Sequence, residues 1–222
     1  MTKDRKLKLE IFIAMVIACL AVVIKPILHN LLPDNPYLRL GVNMSIYGLL
    51  ALGTLLRVRK LSDQPLRYLG YCGDNLPRQF LWGVGIGLAS LSLFVLLPLI
   101  FGVPAWAVLS GKAPTRGIIP MRVVFYLFFV GPVEELIFRG YLFRRLEMLT
   151  RGPWQQCLIS ALLFGLWHFP ASHSLINVLY CGAIGFFFGT FYIRKKDCSL
   201  LSLGLAHGLH DLGIFVLSQF LL

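Results

Sequence analysis

Seven stretches of this chain are apolar over nearly the length a helix needs to cross a membrane. A hydrocarbon core of roughly 30 Å takes about 20 such residues. The stretches are 11–28, 40–56, a third from 80 that meets no charge until Lys112, 121–146, 154–169, 175–193 and 200–222. Inside a bilayer every backbone N–H and C=O needs an internal partner, so runs of this kind have to be helical. The composition agrees. Of the 222 residues 57% are hydrophobic and 14% charged, whereas a soluble domain carries about 25% charged residues. Disorder, collagen-like repeats and a disulfide scaffold are excluded, since the chain is apolar and has 5 cysteines. The expected fold is all-α: a single integral membrane domain over 1–222, built as a polytopic transmembrane helical bundle of about seven helices. Pro98 and Pro104 leave room for an eighth within the third run.

Charge sets the orientation. Lys and Arg number 21 against 10 Asp and Glu, a net charge of +11. In a soluble protein this excess would suggest nucleic acid. Here it falls in short clusters between the apolar runs, and no basic stretch alternates with aromatics, so the bilayer is the expected partner and nucleic acid is not. Counting alternate loops puts 16 basic residues on one side, among them Lys6, Arg57, Arg145, Arg194 and Lys196. Five, namely Lys25, Arg39, Lys112, Arg116 and Arg122, fall on the other. The rule that positive loops stay inside then predicts a cytoplasmic N-terminus. Val16-Ile17-Ala18-Cys19 fits a lipoprotein cleavage box, but the apolar run continues through Leu20 to Ile24, so a retained first helix is expected. The other cysteines, Cys72, Cys157, Cys181 and Cys198, show no C-x-x-C spacing, and neither a metal nor a cofactor is expected. Gly83/Gly87, Gly185/Gly189 and Gly204/Gly208 are four apart and would let helices approach closely.

Ionisable groups within the apolar runs need a reason, because each costs about 2.5–3.5 kcal/mol on insertion scales. Glu134, Glu135, Arg139, His168, His207, His210 and Asp211 are such groups, with Asn177 a weaker one. On a helix Glu135 and Arg139 share a face four residues apart, with the Glu N-terminal as ion pairing prefers. Glu134 points about 100° away and lacks that partner. One carboxylate is therefore held by an arginine and the other is left for acid–base work. His168 ends Phe164-Gly165-Leu166-Trp167-His168, and taken alone a histidine there is more often a packing residue. His207 and Asp211 are four apart on one face, and His210 borders it.

The order E-E-x-x-x-R, F-x-x-x-H and H-x-x-x-D, one motif per run, resembles the CAAX-protease and bacteriocin-processing (CPBP, Abi) family of intramembrane glutamate endopeptidases. The flanking Phe138-Arg139-Gly140-Tyr141-Leu142-Phe143 strengthens the likeness, which covers 121–222 as a catalytic core. Residues 1–120 form N-terminal membrane helices without a family motif. The resemblance implies that Glu134 and His168 activate a water against a peptide carbonyl. It further implies that His207 and Asp211 sit at the oxyanion, and that Glu135 and Arg139 hold the site together. The substrate would be a membrane-associated or lipid-linked peptide or protein, and the location a bacterial or archaeal cell membrane. An ionised Asp211 cannot donate to an oxyanion, so it acts either as a neutral acid or by orienting His207. Three other readings compete: a metal-dependent membrane protease, although H-E-x-x-H is absent; a non-enzymatic immunity or binding protein; and a proton-coupled transporter, which would call for repeated broken helices.

Overall fold

The computed structural model describes residues 2–109, 116–195 and 198–222. Lys112 and Lys196, which enter the charge count on opposite sides, lie outside them, as do the side chains of Lys3 and Arg116. No strand occurs among the described residues, and each apolar run becomes a helix. These are α1 (Lys3–Leu31), α2 (Pro36–Arg59), α3 (Leu76–Ile100), α4 (119–146), α5 (Pro153–Trp167), α6 (Leu175–Arg194) and α7 (Leu200–Leu221). Their starts are written locally. Asn35 accepts from the backbone of Tyr37 and Leu38 ahead of Pro36, and Ser174 and Ser199 cap α6 and α7 in the same way. Such caps satisfy the orphan N–H groups of a first turn.

Five of the helices, α1, α2, α3, α6 and α7, are long and apolar enough to cross a bilayer by themselves. This is fewer than the seven expected from run length. α5 has 15 residues, about 22 Å of helix against a core of ~30 Å. α4 is a chain of short α and π turns that carries the charged motif. The π turn at Tyr126–Val130 lies just ahead of Pro132, and that at Ser92–Leu96 just ahead of Pro98. A proline ring pushes away the carbonyl four residues back, and a widened turn accommodates it. The third π segment, Leu136–Leu142, contains no proline and holds Arg139. No eighth span forms among the described residues. After Ile100 the chain turns at Gly102 and makes a short helical turn at Ala105–Val108.

α7 packs against both α3 and α4, while α5 lies along α6. Gln79 and Ser199 hydrogen-bond at the start of α3 and α7, and Ser90 bonds His210 further along, so these two helices run parallel. Of the glycine pairs, Gly208 comes nearest to the backbone of another helix. A Cβ there would lie 2.6 Å from the Tyr126 carbonyl, so α4 and α7 meet backbone to backbone. Glu10 of α1, Arg57 of α2 and Arg145 of α4 gather at one end of the bundle.

Candidate active site

The site is assembled on α4. Glu135 and Arg139 form the expected i,i+4 pair, Nη1 to Oε1 at 2.9 Å, with both side chains fully buried. A buried guanidinium needs more than one acceptor. Arg139 finds a second in the Gly185 carbonyl on α6, at 2.7 Å, and lies over the Phe164 ring of α5 at 4.8 Å. The same Glu135 oxygen accepts from His207 Nδ1 at 2.8 Å. A carboxylate held by an arginine accepts only, so Nδ1 of His207 carries the hydrogen. Asp211 does not orient His207: its Oδ2 stands 3.7 Å from Nε2, beyond hydrogen-bond distance, and Glu135 fixes the ring instead.

Glu134, one residue back, points into a different group of side chains. Its Oε1 accepts from the Tyr47 hydroxyl at 2.6 Å, and the Lys25 ammonium lies 4.7 Å from the centre of that tyrosine ring. Its Oε2 is buried with no hydrogen-bond partner. His207 Nε2 stands 3.7 Å from this oxygen and His168 Nε2 4.0 Å. His168 follows the last residue of α5, so the shortness of that helix places the imidazole inside the bundle. Its Nδ1 contacts the Phe164 carbonyl at 2.8 Å. A carbonyl can only accept, so Nδ1 donates, and in its neutral form the ring turns a bare Nε2 toward Glu134. Phe164 touches both imidazoles, 4.7 Å from His168 and 5.7 Å from His207. This gives the Phe of F-x-x-x-H a physical place as the apolar divider of the site.

The structure thus brings together Glu134, Glu135, Arg139, His168, His207 and Asp211. Two polar members of the runs stand apart. His210 turns to Ser90, at 2.9 Å, and packs α7 on α3. Asn177 sits in the first turn of α6 with its amide oxygen 3.8 Å from the Cys181 sulfur. Tyr47 was not singled out in the sequence. It signals itself only as a tyrosine inside the apolar 40–56 run, where a buried hydroxyl needs a partner. Among the described residues no three His, Cys, Asp or Glu side chains are placed to hold a metal ion. Glu134 is twelve residues from the end of α4, and His207 seven from the start of α7. At ~1.5 Å per residue the site lies roughly 10–18 Å from the basic end.

A model of the type II CAAX prenyl endopeptidase Rce1-like family matches residues 116–213, which contain all six of these side chains but not Tyr47. Over that segment the resemblance seen in the motifs is borne out. No curated protein and no solved structure gives a significant match.

Proposed function

We propose that this chain is an intramembrane endopeptidase in which Glu134 and His168 activate water against a peptide bond. Its substrate would be a membrane-associated or lipid-linked peptide or protein. The observation that carries the reading is the bare Oε2 of Glu134, buried and flanked at 3.7–4.0 Å by two imidazole nitrogens. Oε2 and His168 Nε2 are too far apart to bond directly, and both are acceptors. A water between them would donate one hydrogen to each and keep a lone pair for the carbonyl carbon. As the C–O bond forms, Glu134 takes a proton and the carbonyl oxygen becomes an oxyanion. When the C–N bond breaks, that proton leaves on the amine.

The oxyanion needs a donor already in place. His207 spends Nδ1–H on Glu135, so in its imidazolium form Nε2–H is the hydrogen directed at the space shared by Glu134 and Asp211. Glu135 stabilises that cation and Arg139 keeps Glu135 in position. The catalytic core is then 121–222, with Tyr47 supplied by the N-terminal helices. The basic end of the bundle would face the cytoplasm, as the charge count predicts.

The test compares cleavage of a membrane-anchored peptide by wild type and Glu134→Gln, purified at matched folded concentration, with and without a strong chelator. Glu134→Gln removes the proton acceptor at constant shape, and turnover should fall at least ~10²-fold. The chelator should leave the wild type unchanged. Full activity in Glu134→Gln would end the glutamate mechanism, and loss to the chelator would favour the metal-dependent alternative.

A further inference from the structure

A cleft of about 660 Å³ opens between α1, α2 and the Leu136–Leu142 segment of α4. Small residues make it: Ala14 and Ala18 on α1 face Gly53 on α2, and a Cβ added at Gly53 would meet nothing within 4 Å. Ile137 contributes to its wall from α4, and Leu9, Ile13 and Ile17 continue its apolar lining along α1.

One end of this cleft is different. Lys6, Glu10, Arg57 and Tyr141 line it there. A single oxygen, Glu10 Oε1, accepts from Tyr141 at 2.6 Å, Arg145 at 2.7 Å and Arg57 Nε at 3.2 Å. One carboxylate therefore serves two guanidiniums, and the exposed Lys6 adds a third positive charge beside them. The local balance is positive, and Arg57 remains 44% exposed with donors to spare. The length of the cleft is equally specific. Lys6 to Ala18 is twelve residues of helix, about 18 Å at ~1.5 Å per residue, close to one leaflet of a ~30 Å core.

We propose that this cleft binds an anionic phospholipid from the leaflet on the basic side of the protein. The phosphate would sit against Arg57 and Lys6, and an acyl chain would lie along Ala14, Ala18 and Gly53. Basic pockets between membrane helices suit such headgroups, and each nearby Lys or Arg strengthens attraction to anionic lipid by about fivefold. Ile137 and Tyr141 belong to the same segment as Arg139. A bound lipid would therefore brace the turn of α4 that holds the Glu135–Arg139 pair. This inference goes beyond the peptidase reading and does not depend on it.

The experiment is native mass spectrometry of the detergent-purified full chain with dioleoyl phosphatidylglycerol or dioleoyl phosphatidylcholine, together with the midpoint of thermal unfolding. Wild type should retain phosphatidylglycerol at least tenfold more tightly and unfold at a higher temperature with it. Lys6→Gln with Arg57→Gln should weaken that lipid about thirtyfold, from the loss of two charges. Because Arg57 also pairs with Glu10, Gly53→Leu provides an independent arm. It fills the cleft where there is open space, and should reduce binding of both lipids without unfolding the protein. Equal retention of the two lipids by wild type would overturn the proposal, as would unchanged phosphatidylglycerol binding in Gly53→Leu. Displacement of phosphatidylglycerol by a prenylated peptide would assign the cleft to substrate and likewise overturn it.

Discussion

Replacing Tyr47 with phenylalanine deletes one hydroxyl and keeps the ring. The edge contact with Phe125 at 5.4 Å and the Lys25 ammonium above the ring are retained. What disappears is the 2.6 Å bond to Glu134, the one hydrogen bond to that carboxylate among the described residues. Tyr47 is 4% exposed and Glu134 2%, so bulk water does not replace the donor. A hydrogen bond to a charged group is worth about 1.5–3 kcal/mol, and that amount divides between folding and the reaction. If all of it falls on the chemical step, kcat drops between roughly ten- and hundredfold, at 1.36 kcal/mol per factor of ten. KM should hold, since the hydroxyl faces the carboxylate and not the peptide. The assay is steady-state cleavage of an anchored peptide, with thermal unfolding measured on the same samples. A lower unfolding midpoint with unchanged kcat would show that Tyr47 only ties α2 to α4, and would refute its role in positioning Glu134.

Arg139→Leu should be costly to the fold itself, because it leaves Glu135 fully buried without its cation. Breaking such a pair by removing one partner costs about 3–5 kcal/mol, and chemical or thermal unfolding of the detergent-solubilised protein would read it. Wild-type stability in that variant would show that Glu135 does not need Arg139 to balance it. Asp211→Asn should keep much of the activity, since the amide retains a donor and an acceptor at nearly the same size. Asp211→Leu should lose roughly 10²–10³-fold if the side chain helps to hold the oxyanion. Full turnover in Asp211→Leu would reduce that residue to packing.

What could be read from the sequence is what a single helix dictates. The Glu135–Arg139 pair and the shared face of His207 and Asp211 follow from four-residue spacing alone, and α1, α2, α3, α6 and α7 follow from run length. Run length is a poorer guide for α4 and α5, which are not among the five helices long and apolar enough to cross by themselves. Pro132 follows one π turn of α4, the charged motif occupies a second, and α5 stops after 15 residues with His168 directly behind it. Partnerships between helices were also hidden: Tyr47 is 87 residues from Glu134, and Glu135 is 72 from His207. Spacing suggested that Asp211, one turn from His207, could orient that ring, yet Glu135 on another helix does so. The physical reason lies in a residue with no side chain. A methyl group on Gly131 would come within 2.5 Å of the Gly208 nitrogen, so only glycine lets α4 and α7 touch at this point. That backbone contact draws Glu135 to 2.8 Å from the imidazole, closer than the 3.7 Å at which Asp211 stands on the same helix. The packing of two glycine-lined helices, more than the order of polar residues along either one, decides which carboxylate holds His207 and which is left facing its other nitrogen.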